Sequence, residues 1–199
     1  MTVSVRDARN TEGDRLWIQS VYRDYLDDLS PAAGTGTFPA LGEVGHREPD
    51  QLFHWFGDPN KFPLVILRSS QPVGFALVVR GAVGTGPQRS IGQPLPLRPN
   101  SQPHLGSQPR SVIDYRMAEF FITRAMRRLG IGATAVRLIF SRFAGSWEIT
   151  EYLRNANAVS FWRRVVASYT LGNYRERIVN GEVRQTFQSG ALQAKEGAP

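Results

Sequence analysis

Ala118-Glu119-Phe120-Phe121-Ile122-Thr123-Arg124-Ala125-Met126-Arg127-Arg128-Leu129-Gly130-Ile131-Gly132-Ala133 reads as an apolar strand that ends in a turn containing Arg and Gly, and the turn opens a helix. Unpaired N–H groups at a helix start point outward and the dipole is positive there, so an anion can rest on them. Gly130 and Gly132 let the backbone approach a pyrophosphate with no Cβ in the way. Arg127 and Arg128 can add charge-assisted contacts. A Gly-x-Gly also serves as a plain glycine-eased turn with no ligand, so local physics alone leaves both readings open.

Upstream of this stretch, Thr2 to Ala8 alternates like a strand, and Asn10 or Thr11 can cap a helix. On that helix Ile18, Val21, Tyr22, Tyr25, Leu26 and Leu29 share a stripe, with Asp24, Asp27 and Asp28 off it. Ser30 to Gly45 reads as loop and Asp50 to Phe56 as a short helix. Pro63 to Ser69 and Val73 to Arg80 form a hairpin about Ser69-Ser70-Gln71-Pro72. Residues 81–111 are rich in Gly, Pro, Ser and Gln and too poor in apolar side chains to offset ordering entropy, so a long mobile loop is expected there. Val112 to Thr123 resumes the strand pattern.

Downstream, the helix opened at Gly130 or Gly132 places Val136, Ile139, Phe140 and Phe143 on one face. Ser146 to Tyr152 is a strand, and Asn155 caps or begins a helix with Ala158, Phe161, Trp162 and Val165 inward. Tyr169 to Val179 and Glu182 to Phe187 flank Asn180-Gly181, a strong type I′ hairpin signal. Gln188 to Pro199 reads as a frayed tail. The alternation of strands and helices predicts an α/β sandwich with a mixed sheet.

Composition bounds the function. The chain of 199 residues suits one domain, and it has no cysteine, which excludes disulfides, thiolate metal sites and a cysteine nucleophile. No apolar run is long enough to cross a bilayer, and Met1 to Asn10 lacks the apolar core of a signal peptide, so a cytoplasmic protein is expected. The formal charge of +7 comes almost wholly from Arg, which suits bidentate contact with phosphate. No basic element interleaved with aromatics and no reading motif accompanies it, so nucleic acid is not expected as a partner. His46, His54 and His104 lack metal-ligand spacing, and Gly81-x-x-Gly84-x-Gly86 lacks the Lys-Ser/Thr of a P-loop; no metal site is expected.

A second block, Asn155-Ala156-Asn157-Ala158-Val159-Ser160-Phe161-Trp162, follows the first with a strand between them. The two blocks together resemble the GCN5-related N-acetyltransferases, the GNAT superfamily. That family carries Arg/Gln-x-x-Gly-x-Gly/Ala after its fourth strand, here Arg127 to Gly132, and Asn-x-x-Ala-x-x-aromatic-aromatic further on. Ile122 occupies the place of a hydrophobic residue before the arginine, while Arg124 stands where a proline is usual. The resemblance runs from about Met1 to Phe187, and Trp55-Phe56-Gly57-Asp58-Pro59 and Phe161-Trp162-Arg163-Arg164 resemble a bacterial branch of acetyltransferases. It implies a GNAT-type α/β sandwich whose mixed, mostly antiparallel sheet splays between strands four and five. It also implies one acetyltransferase domain over 1–187, interrupted by the loop at 81–111 and followed by a flexible tail at 188–199.

The function implied is transfer of an acetyl group from acetyl-CoA, the co-substrate, to a primary amine of a small molecule or peptide by direct attack. A non-catalytic CoA-binding sensor or structural protein is the alternative, and a homodimer is compatible with either. By the resemblance, the backbone of Phe121, Ile122 and Thr123 serves the pantetheine, and the Ile122 N–H polarises the thioester carbonyl. Arg127, Arg128, Leu129, Gly130, Ile131, Gly132 and Ala133 hold the pyrophosphate, and Asn155, Phe161 and Trp162 flank the cofactor, Asn155 alternatively serving as a helix cap. Glu119 is the candidate base or substrate contact, or else a solvated strand residue. Of Glu148 and Glu151, opposite in parity, at most one faces the cleft. Trp162 stands where many members carry a tyrosine acid, and an indole N–H cannot deliver a proton. Tyr152, Tyr169 or Tyr174 could substitute only if the fold aims one into the cleft. Asp24, Asp27 and Asp28 read as a solvated face, or as the border of a site for a cationic acceptor.

Overall fold

Strand β1 (Val3–Asp7) leads through a 3-10 turn into helix α1 (Glu12–Ala33). The structure, a computed structural model, describes residues 2–33, 51–81 and 112–190. Thr11 caps α1, its Oγ1 accepting the Asp14 N–H at 3.2 Å, which satisfies one of the orphan donors of the first turn. The expected stripe is the buried one: Ile18, Tyr22 and Tyr25 lie in the core, with Val21, Leu26 and Leu29 packed against them. The helix runs on to Ala33, past the loop boundary expected at Ser30, because Pro31 removes a single backbone donor in the last turn.

Helix α2 (Gln51–Gly57) is followed by β2 (Lys61–Arg68) and β3 (Gln71–Arg80). Their connection is the two-residue turn Ser69-Ser70, both residues at positive φ, 48° and 71°. This is the primed geometry that matches strand twist, made here without Asn or Gly. The chain continues as β4 (Tyr115–Ile122), a 3-10 turn at Arg124–Met126, α3 (Ile131–Arg142), β5 (Gly145–Tyr152), α4 (Ala156–Thr170), β6 (Tyr174–Val179) and β7 (Glu182–Ser189). Tyr169, expected in a strand, belongs to the last turn of α4, which ends when Leu171 and Gly172 adopt positive φ. Asn180-Gly181 makes the expected hairpin turn, with φ of 53° and 78°. Gln188 and Ser189, expected in the tail, extend β7: the Ser189 hydroxyl donates to Phe143 O at 2.7 Å and accepts the Trp147 indole N–H at 3.0 Å. The loop expected at 81–111 lies outside the described residues from residue 82 on, with His104 and the Gly84-x-Gly86 run, as do the rest of the tail at 191–199 and residues 34–50 with His46.

The seven strands form one sheet in the order β1-β2-β3-β4-β5-β7-β6. Every neighbouring pair is antiparallel except β4 and β5. Helices α3 and α4 cover one face over Met117, Trp147 and Ile149, and α1 and α2 cover the other over Val65, Phe75 and Phe121.

The parallel pair β4 and β5 is short. It starts at Asp114, whose carboxylate accepts the Ser146 N–H at 2.8 Å and the Ser146 hydroxyl at 2.9 Å. Pairing runs through Tyr115↔Trp147, Arg116↔Glu148 and Met117↔Ile149, and then the strands part. The sheet therefore splays between its fourth and fifth strands.

Candidate active site

The site follows from what β4 does after Met117. On its β3 side the register shifts between Leu77 and Val78, so that Leu77 faces Glu119 and Val78 faces Met117, with Ala118 extra. Such a bulge re-aims the side chains beyond it. Met117 packs under α3 and α4, whereas Ala118 and Phe121 pack toward α1. In a regular strand, without the bulge, Glu119 would alternate back to the face of Met117. With it, Glu119 turns to α1, where the Tyr25 hydroxyl donates to its Oε2.

Glu119 is half-buried at the depth of this recess. Burial pushes its carboxyl well above the usual carboxylate range, because desolvation disfavours the charged form, and the negative charge of Glu151 on β5 adds to the effect. Glu148 has a different partner: its Oε1 accepts from Arg116 Nε at 2.9 Å across the last paired rungs. Of the two β5 carboxylates, Glu151 is the one that acts electrostatically on Glu119.

The backbone beyond Glu119 has one occupied and one open edge. The Thr123 N–H donates to Val73 O at 2.9 Å, and the Thr123 carbonyl accepts from Met126 N at 2.9 Å, so both its groups are used within the protein. Successive N–H groups of a strand point to opposite sides, so the N–H of Phe121 also faces β3 and that of Ile122 faces the splay. The Ile122 carbonyl points the same way and accepts from Arg127 Nε at 2.8 Å. Of Phe121, Ile122 and Thr123, it is Ile122 whose N–H is directed into the cleft.

The turn after β4 is wound tightly. Arg127 is extended, Arg128 sits at φ 63° and Gly130 at φ 78° as the N-cap of α3. Arg128 in the left-handed region costs about 1 kcal/mol; residues so held gather at binding sites. The result is a run of N–H groups at Ile131, Gly132 and Ala133 in the first turn of α3, where no helical acceptor exists. Ile131 is buried, whereas Arg128 and Leu129 are exposed. A Cβ on Gly132 would stand 3.3 Å from the Phe161 ring and 3.6 Å from Ile122 Cγ1, so this glycine brings α3 close to both α4 and β4.

Arg127 is held from three sides. Besides Ile122 O, its guanidinium lies 5.5 Å from the Phe121 ring centroid and donates to Asp28 Oδ2 at the end of α1. Asp28 Oδ1 also accepts from Arg124 Nε at 2.9 Å. Asp28 therefore leaves the solvated face expected for it and clamps α1 to the turn.

The second block divides. Asn155 Oδ1 accepts the Ala158 N–H at 3.2 Å, which is the helix-cap role. Phe161 stacks on Phe120, centroids 5.7 Å apart. Trp162, expected beside the cofactor, is only 3% exposed and meets Phe120 and Phe161 edge-on, so it supports α4 from within the core. Tyr169 packs between Phe140 and Phe187. Sequence reasoning did not foresee the partners of Tyr25 and Asp28, each a single residue on α1 that meets its partner far along the chain; the stripe places Tyr25 inward, and Asp28 reads as a solvated face or the border of an acceptor site.

No family model matches the chain, and no curated protein matches it in sequence. Solved structures do match in shape. A GNAT-family acetyltransferase from Streptococcus agalactiae aligns at TM-score 0.56 and 11% identity, covering 94% of this chain and 94% of its own. An acetyltransferase from Thermus thermophilus gives TM-score 0.55 and 14% identity over 94% of this chain and 97% of its own. Arabidopsis thaliana NAA60, solved with acetyl-CoA, gives TM-score 0.55 and 10% identity over 94% and 98%. Seven strands in this order, one parallel pair that splays, and these likenesses together establish that the chain has the fold of the GCN5-related N-acetyltransferases.

Proposed function

We propose that this protein is an acetyl-CoA-dependent N-acetyltransferase that acetylates a primary amine of a small molecule or peptide. The observation that carries the reading is the Ile122 N–H directed at the splay, with the wound turn before α3 on one side and the Glu119 carboxyl on the other. In the proposed reaction the first-turn N–H groups of Ile131, Gly132 and Ala133 hold the pyrophosphate. The Ile122 N–H donates to the thioester carbonyl oxygen as it gains charge. The amine nitrogen attacks the carbonyl carbon, its proton passes to Glu119 directly or through water, and the C–S bond breaks to release the CoA thiolate. A carboxyl held above its usual range is the better proton acceptor once ionised, which suits this role.

Thiol release from acetyl-CoA with a panel of primary amines tests the proposal. Saturable, amine-dependent release with one class of amine is the expected result. CoA binding with no amine-dependent release supports the second reading, a non-catalytic CoA-binding protein, which is favoured by Trp162, an indole that cannot deliver a proton, standing where many members of the resembled family carry a tyrosine.

A further inference from the structure

Glu119 and Tyr25 lie 94 residues apart in sequence and meet across the sheet and α1. Tyr25 is 5% exposed, its ring fixed edge-on against Phe75 at 5.3 Å and Phe121 at 5.8 Å and tilted against Tyr22 at 5.8 Å. Burial among these rings gives the phenol one orientation, so its O–H is aimed rather than free to rotate away. The carboxyl it meets is placed by the β4 bulge. Two unrelated features, a helix stripe and an extra strand residue, thus converge on one hydrogen bond.

We propose that Tyr25 is a positioning residue for Glu119: its O–H, donated to Oε2, fixes the orientation of the carboxyl that receives the proton of the incoming amine. This rests on Glu119 being the proton acceptor of the transfer reaction. A donor to the ionised form favours that form, so Tyr25 works against the two influences that disfavour it, burial and Glu151. Among the described residues, the other ionisable groups on the surrounding elements, besides Glu151, are Glu12, Asp14, Arg15, Tyr22, Arg23, Asp24, Asp27 and Asp28 on α1, His54 on α2, Arg80 on β3, Tyr115 and Arg116 on β4, and Glu148 and Tyr152 on β5. Arg116 and Glu148 are paired with each other. Tyr25 therefore lowers the pH at which Glu119 becomes a base, and does so through the carboxyl rather than the substrate.

The test is a carboxyl-carbon NMR titration of Glu-labelled protein, with the Glu119 signal assigned by its loss in Glu119→Gln. Tyr25→Phe keeps the ring and removes only the hydroxyl. Its expected effect is an upward displacement of the Glu119 midpoint, a gain in proton affinity of about tenfold, one hydrogen bond to a charged group. In amine-dependent thiol release, the ascending limb of the kcat/KM profile moves up with it. An unchanged or lowered midpoint in the folded variant overturns the proposal. Should Tyr25→Phe not fold, Tyr25 is titrated through its labelled ring carbon in the parent and in Glu119→Gln. A phenol that donates to a carboxylate ionises at lower pH once that charge is gone, and no change overturns the proposal equally. Both titrations need no acyl donor, so a protein that fails to transfer acetyl groups would still show them, and the two readings fail separately.

Discussion

Glu119→Gln lowers amine-dependent thiol release by about a hundredfold or more, the usual contribution of a positioned general base, with acetyl-CoA affinity retained. The amide keeps the shape of the side chain but cannot take a proton. The affinity holds because the groups proposed to hold acetyl-CoA, the Ile122 N–H and the turn at Arg128 to Ala133, are backbone groups that the substitution leaves in place. Equal loss in kcat and in kcat/KM marks an interaction made in the transition state, whereas a rise in KM alone would make Glu119 a substrate contact.

The same substitution has a stability signature whose sign is fixed by burial. The Glu119 carboxyl is raised in the folded protein, so between the ordinary carboxylate range and that raised value the folded state holds one more proton than the unfolded chain. Stability conferred by that proton is present at low pH and is lost as pH rises through the window. Glu119→Gln has no charge to bury, so it is more stable than the parent at pH 8, and the two converge toward pH 4. Thermal unfolding at both pH values reads this directly.

A large loss of stability is expected from Gly74→Ala. A Cβ at Gly74 would lie 2.3 Å from the Phe121 carbonyl oxygen and 2.7 Å from Ile122 Cδ1. The first of these is backbone and cannot rotate aside, so β3 and β4 must separate where Gly74 opposes Ile122. Overpacking of this kind costs about 3 kcal/mol, which for a chain of this size lowers the melting temperature by about 6–12 °C. The displaced strand carries the Ile122 N–H, so acetyl-CoA affinity falls as well. Gly13→Ala is the control: nothing lies within 4 Å of its added Cβ and the site is helical, so it is neutral or slightly stabilising. Melting curves that treat the two variants alike would refute the argument from the Gly74 contact.

What the sequence made legible was local. A strand running into a Gly-containing turn, the Asn155 cap and the Asn180-Gly181 hairpin each depend on residues a few positions apart, where spacing translates directly into geometry. The pairing of distant elements was less accessible. The Ala118 bulge leaves no residue signature, yet it decides which face Glu119 occupies. The α1 stripe marks Tyr25 as inward without naming what it meets. Asp28 lies off that stripe, and nothing near it in sequence points to Arg124 or Arg127. Trp162 reads equally well as a cofactor contact or as core, because an aromatic at helical spacing serves either; in the structure it is buried beside Phe120. The geometry of the expected Ser69-Ser70 turn and the role of Ser189 escaped notice because small polar residues are common in loops, while here the pair makes a primed turn and Ser189 completes a buried hydrogen-bond network.

The account depends most on the cleft between β4 and β5 holding acetyl-CoA. Thermal unfolding of the full chain with increasing acetyl-CoA measures this without knowledge of the amine. Saturable stabilisation is predicted, about 2.7 kcal/mol when the ligand stands at a hundred times its dissociation constant, with CoA giving a similar response. A melting temperature that does not move at millimolar acetyl-CoA would contradict it.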